Sequence, residues 1–334
     1  MWLFPRIAVA YAVLSFGGIT HGYLIDPESC SGDYQFVKDM VEQAFNMARI
    51  AVASVNTVPM DPDASSLLQQ LFNVEGVTAK GLIEGVFAPG PANNKGEKTG
   101  ILTFQDEITG SVESLGAGLN EVVIFCDRRR LQTRIRDPLH LYDRKANRAV
   151  SRGNPCTSAF MYTQTFRRHW DLIQICPWFL QYAKAKKYGT TKDISSLRAF
   201  LAVKWLDKLI TKKFYTPLDL MSLWDKCMLH EMMHTKPGDS KDDSSEWNGY
   251  GWKNCKVLST DPTLSKRNAD SYAVFGSALY WAKAGSPIDE NGNFISDPSA
   301  IQGNSRKRLE SGRDEYRAKI GERGNQVLPL EEAR

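Results

Sequence analysis

The segment His230-Glu231-Met232-Met233-His234 sets two imidazoles and a carboxylate at a spacing with chemical meaning. Residues four apart on an α-helix lie about one turn apart on one face, so both rings can point at a single ion. Only a helix gives that geometry. The preceding chain favours one, since Leu218 to Leu229 runs into the motif without Pro or Gly, with Thr216-Pro217 as cap and first helical residue. Pro237-Gly238 then supplies the stop. With five histidines in 334 residues, an accidental HExxH arises in roughly one such chain in a hundred or fewer. The chemistry implied is hydrolysis at Zn2+, which polarises a carbonyl and lowers the pKa of its water toward ~7. Glu231 is the expected base that accepts the water proton and passes it to the leaving amine.

A catalytic zinc usually takes three protein ligands, with a fourth position open. The third candidate is Asp270, in Arg267-Asn268-Ala269-Asp270-Ser271-Tyr272-Ala273-Val274-Phe275-Gly276, far enough past His234 to arrive from another helix. Here the chain resembles the secreted fungal deuterolysin-like zinc endopeptidases, the aspzincins, in which HExxH supplies two ligands and an aspartate on a later helix the third. The resemblance implies His230, His234 and Asp270 as zinc ligands, Glu231 as catalytic glutamate, and a protein or peptide substrate. Tyr250-Gly251, Cys255 and Asn268-Ala269-Asp270-Ser271-Tyr272 look like the lysine-specific metallo-endopeptidase variant and related fungal secreted effectors. The specific likeness covers roughly residues 215–282. It departs from the family signature GTxDxxYG: Arg267-Asn268 precedes Ala269-Asp270, Ala273 stands at the tyrosine position and Val274 replaces the following glycine. The phenol that would stabilise an oxyanion is then Tyr272, Tyr250 or Tyr280, and on a helix Tyr272 points about 200° away from Asp270. A lysine preference would require an acidic pocket as well.

Length and composition bound the rest. A chain of 334 residues with net charge +4 can bury a large core, as one domain or one domain with appendages. Residues 1–22 read as a secretory signal, with Arg6 before the apolar run Ile7 to Phe16; that run is shorter than the ~20 residues that span a bilayer. Residues 23–290 are expected to form a zincin-like metallopeptidase domain, and 291–334 a polar, charged tail. Six cysteines, Cys30, Cys126, Cys156, Cys176, Cys227 and Cys255, imply up to three disulfides in a secreted chain, Cys227–Cys255 being the expected tie near the zinc helix. The basic clusters Arg128-Arg129-Arg130 and Lys184-Ala185-Lys186-Lys187 read as solvated surface. No motif for specific nucleic-acid binding or stable membrane insertion accompanies them, and nothing fixes an oligomeric state.

The expected fold class is α+β, mainly helical with a small β-sheet. Helical spacing predicts helices over Asp33–Val55, Asp63–Phe72, Trp178–Lys187, Ser196–Lys212, Pro217–His234 and Ala269–Ala284. Strands are expected at Gly100–Phe104, Glu121–Cys126, Ser158–Thr165 and up to Cys176, with a Pro/Gly/Asn loop over Ala88–Thr99. Three functions fit: a secreted zinc endopeptidase, a secreted zinc-binding or host-interaction protein on the same scaffold without effective turnover, and a basic module that binds an anionic surface. Glu231 separates the first from the second, because zinc binding alone needs ligands but no base.

Overall fold

Apolar residues recurring every three or four positions make Tyr34–Val55 (α1) the longest helix, burying Val37, Val41, Ala44, Phe45, Ala48 and Ala51 along one stripe. The computed structural model describes residues 21–295, apart from 93–96, 116–120, 135–136, 152, 168, 186–215, 222 and 245. Further helices span Pro62–Phe72 (α2), Gly76–Phe87 (α3), Pro177–Ala185 (α4), Pro217–Met221 (α5), Leu223–His234 (α6), Trp252–Leu258 (α7), Pro262–Arg267 (α8) and Ala269–Lys283 (α9). Asp61 and Asp261 cap α2 and α8 by accepting from two backbone N–H groups each, and Pro follows each as the first helical residue.

Helices α1, α6 and α9 pack on one another and form the body of the core. Ala269 to Leu279 of α9 is buried all round, which explains its lack of a polar face. Gly276 marks a close approach: a β-carbon there would lie 2.9 Å from Leu229 Cδ2 and 3.4 Å from Met47 Cβ. Strands Tyr23–Ile25 (β1), Val122–Phe125 (β2), Met161–Gln164 (β6) and Asp171–Ile175 (β7) form a sheet in the order β1-β2-β7-β6, parallel except for the antiparallel edge strand β6. Alternation sends Tyr23, Ile25, Val122, Ile124, Ile173 and Ile175 to the helical side, and Leu24, Val123, Phe125 and Leu172 to a second cluster with Phe166 and Trp170. With both faces covered, β2 and β7 are continuously buried. The second face is shared with an antiparallel sheet of Leu131–Arg134 (β3), Asp137–Asp143 (β4) and Arg148–Ser151 (β5). Arg130 joins the two sheets, donating to Asp143 Oδ2 (2.7 Å) and Gln174 Oε1 (2.5 Å).

The class is therefore α+β, as expected. Three expectations change. Residues Ile101–Phe104 form a 3-10 helix, not a strand: Gly100 turns at φ 86°, and the Thr103 N–H donates back to Gly100 O (3.0 Å). Helix α3 was not anticipated, because Gly76, Gly81 and Gly85 dilute its helical propensity; burial of Ala79, Ile83, Val86 and Phe87 forms it instead. The bonded cysteines are Cys30–Cys126 and Cys156–Cys176, whereas Cys227 and Cys255 are free thiols. Each bridge is anchored directly after a sheet strand, at Cys126 after β2 and Cys176 after β7, with Cα atoms 5.0 and 5.2 Å apart, inside the range a disulfide needs. Cys255 is instead buried with its thiol donating to Gly249 O (3.4 Å). The expected signal run, the Ser196–Lys212 helix and most of the polar tail lie outside the described residues. Among the described residues no helix is long and apolar enough to cross a membrane.

Two ionisable groups make the frame sensitive. Just past α6, Lys236 donates from its ammonium to Asp171 Oδ1 (2.6 Å) and to the carbonyls of Phe166 and His169, while its backbone N–H donates to Asp171 Oδ2 (2.7 Å). Lys236→Met strands the buried Asp171 carboxylate and should lower unfolding free energy by about 3–5 kcal/mol in a urea titration. Asp225, in the first turn of α6, has its pKa pushed up to about 7 by burial and then by the Asp39 charge. Its folded pKa exceeds the unfolded value of about 4, so the folded state binds the extra proton between them. Stability from this group is therefore complete below about pH 4 and lost as pH rises through about 7, by at most ~1.4 kcal/mol per pH unit. Asp225→Asn should flatten that slope, raising Tm at pH 8 relative to wild type while leaving Tm at pH 4 close to it.

Candidate metal centre

The helix geometry inferred from the motif is present in α6. His230 and His234 sit one turn apart, with Nε2 atoms 3.0 Å from each other. The carboxylate that meets them is that of Asp243, whose Oδ1 lies 3.2 Å from His230 Nε2 and 3.3 Å from His234 Nε2. Donors ~2.0–2.1 Å from a zinc ion at tetrahedral angles stand roughly 3.3 Å from one another, so these three edges have the size of a zinc site. His230, His234 and Asp243 form a group that could hold a metal ion.

The proton positions strengthen that fit. His234 Nδ1 lies 2.6 Å from Lys241 O, and a carbonyl only accepts, so Nδ1 carries the hydrogen. His230 Nδ1 lies 3.1 Å from Asp270 Oδ1 and donates to it. Both rings therefore present Nε2 to the Asp243 carboxylate, a grouping that a metal ion or protons on Nε2 would hold together. Protons do so in part: burial opposes charge on His230, but Asp243 and Asp270 together push its pKa up to about 10. Burial would raise Asp243, and the two imidazoles override it and hold its carboxyl well below the usual range.

The chain returns to the motif by a turn built on the end of α6. Met233 O accepts from Lys241 N–H (2.9 Å), and Met232 O accepts from the Thr235 hydroxyl (2.6 Å), so carbonyls that a helix end leaves open are used to fold the chain back. Gly238 permits it: a β-carbon there would stand 2.2 Å from Met232 O. Asp242 then bridges to Asn268 and accepts from Ala269 N–H (2.9 Å), which pins Asp243 between α6 and the start of α9. Asn268 donates to Gly249 O (2.8 Å) and accepts from Ser244 N–H (3.2 Å), holding the loop that carries Tyr250.

Asp270 is close to the motif but on the far side of His230. Its carboxylate accepts from His230 Nδ1, from Gly251 N–H (2.6 Å) and from the buried ammonium of Lys226 (3.3 Å). Burial would raise its pKa; Lys226, His230 and the Gly251 N–H overcome that and keep it ionised, below the usual carboxylate range. It thus faces the nitrogen turned away from His234: Asp243, and not the expected Asp270, meets the Nε2 pair, while Asp270 accepts from the other side of the His230 ring. Lys226 also donates to Asp219 Oδ1 (3.4 Å), and Asp219 accepts from the Thr216 and Trp252 backbone N–H groups.

Glu231 lines the same cavity as His230. The Thr163 hydroxyl of β6 lies 2.7 Å from Glu231 Oε2 and 2.9 Å from Glu231 O, fixing the side chain against the edge strand. Tyr250 stacks on His230, with centroids 5.4 Å apart and planes at 28°. Burial first, then the Asp243 charge, raise its pKa, so the phenol stays protonated and donates to Asp243. Tyr272 is elsewhere: fully buried against Phe72 and Phe87, it donates to Lys266 O (2.8 Å). That corrects its expected catalytic place, and the reason is the rotation that sets it on the core side of α9. Tyr280 is half-buried beside Trp281.

Asp243, Lys226, Asp219 and Thr163 were not anticipated. Lys226 had a signal, since it lies one turn before His230 on the same face. For Asp243 the signal was the acidic pair Asp242-Asp243 between HExxH and Tyr250-Gly251. Comparison of the chain with protein-family models, curated proteins and solved structures returned no match.

Proposed function

We propose that this protein is a secreted zinc-dependent endopeptidase with a zincin-like domain of the aspzincin kind. The reading rests on one observation: two imidazole nitrogens and one carboxylate oxygen, each oriented by its own partner, face one another at the edge lengths of a tetrahedral zinc site. His230, His234 and Asp243 hold the ion. When bound, zinc supplies a Lewis acid that polarises a carbonyl and makes hydroxide available near neutral pH.

The chain's own groups do the rest. Glu231, held by Thr163 at the cavity wall, takes the proton of the attacking water and returns it to the leaving amine. Tyr250, protonated and adjacent to the donor set, would swing its O–H from Asp243 to the developing oxyanion. Asp270 fixes the tautomer and plane of His230. The two disulfides support extracellular placement. The test is zinc content together with cleavage of an unfolded protein by the purified chain. One zinc per chain with turnover supports the reading, and zinc without turnover turns it into the zinc-binding, host-interaction alternative.

A further inference from the structure

Lys226 is 3% exposed and stands on the helix that carries the facing imidazoles, one turn before His230. Its Nζ lies 3.4 Å from Oδ1 and 3.3 Å from Oδ2 of Asp270. The same Oδ1 accepts from His230 Nδ1 at 3.1 Å, so a carboxylate from α9 is docked between two residues of α6 that share one face. Gly251 N–H donates to Oδ2 (2.6 Å), but one contact at one oxygen leaves the carboxylate able to turn about it. An ammonium within reach of both oxygens removes that freedom and directs Oδ1 at the imidazole. Lys226 is held in turn by Asp219 of α5 (3.4 Å), whose carboxylate accepts from Thr216 N–H (2.8 Å) and Trp252 N–H (3.0 Å).

We propose that Lys226 is a positioning residue of the metal centre, its ammonium holding the Asp270 carboxylate against His230 Nδ1 and thereby holding His230 Nε2 toward the ion. The inference rests on the zinc part of the reading above and is independent of peptide cleavage. Groups one contact removed from a metal fix the orientation of its ligands and with it the affinity. Rotation of the His230 ring would carry Nε2 away from Asp243 Oδ1 and His234 Nε2, which stand 3.2 and 3.0 Å from it. An ammonium that merely filled space between two carboxylates would act otherwise: a residue of similar volume would replace it, and its effect on zinc would not depend on Asp270.

The experiment measures zinc dissociation constants, by competition with a chromophoric chelator, for wild type, Lys226→Met, Lys226→Arg, Asp270→Asn and the variant carrying both Lys226→Met and Asp270→Asn. Circular dichroism checks that each is folded. Lys226→Met, close to lysine in volume but uncharged, should weaken zinc about tenfold, within the range such outer partners command. Lys226→Arg, larger but still a cationic donor, should stay within about threefold of wild type. With Asp270→Asn already in place, Lys226→Met should add less than about twofold, because its effect passes through that carboxylate. Losses that multiply in the double variant overturn the role, as does a folded Lys226→Met with wild-type affinity, or Lys226→Arg binding zinc worse than Lys226→Met. If Lys226→Met does not fold, NMR of wild type labelled at the lysine ammonium nitrogens decides. The Lys226 signal, identified by its absence in Lys226→Arg, should shift on zinc loading, and an unmoved signal overturns the proposal. Wild type that takes up no zinc overturns the metal centre and this role together, whereas zinc bound without peptide cleavage overturns the peptidase reading alone.

Discussion

Glu231→Gln should leave one zinc per chain in place and lower kcat/KM by about 10²–10⁴-fold, the usual contribution of a positioned general base. The amide keeps the size of the carboxylate and can still accept from the Thr163 hydroxyl, which lies 2.7 Å from Glu231 Oε2, so the cavity wall stays in place. What it loses is the ability to take a proton. Because Glu231 is not one of the three donors that face one another, metal content should be unaffected, and mass spectrometry of the intact protein under native conditions reads it directly. Turnover within threefold of wild type in the zinc-loaded variant would remove Glu231 from the mechanism. Zinc lost together with turnover would instead place Glu231 among the ligands.

Asp243→Ala and Asp270→Asn separate the two aspartates. Asp243 Oδ1 lies within 3.3 Å of both Nε2 atoms, so its removal deletes a ligand, and zinc should no longer be retained through dialysis against a weak chelator. Of the three facing donors, Asp270 meets only His230, and that at its far nitrogen. Replacement of such an orienting partner typically weakens metal binding 10–100-fold, a loss visible in competition titration but compatible with a loaded protein at excess zinc. The reverse order, with Asp270→Asn stripped of metal and Asp243→Ala retaining it, would restore Asp270 as the ligand. Asp270→Asn should also lower thermal stability, because Lys226 would then keep Asp219 alone as its carboxylate partner.

The helices with a regular apolar stripe were legible from spacing: α1 and α2 begin and end within a residue of the positions expected, and α9 within one. Strands β2, β6 and β7 were legible as β-branched or apolar runs. Strand β1, a three-residue segment, was not, because its pairing with β2 is parallel and non-local. Helix α3 was obscured by its glycines, and Gly100 made a turn where local propensity favoured a strand. Each of these failures has the same source, a partner distant in sequence that outweighs a weak local preference.

From sequence alone the chain determined the α+β class and the pairing of His230 with His234 on one helical face, since both follow from periodicities of one segment. Sequence likewise placed Glu231 between them. Which carboxylate completes the group, which cysteines bond, and which tyrosine stands at the site were decided by the turn after α6 and by the packing of α9 on α1 and α6. Those choices depend on distances between segments far apart along the chain. A residue's type states what chemistry it can perform, but only the fold determines that Asp243 faces the imidazoles while Asp270 stands behind one of them and Tyr272 lies in the core.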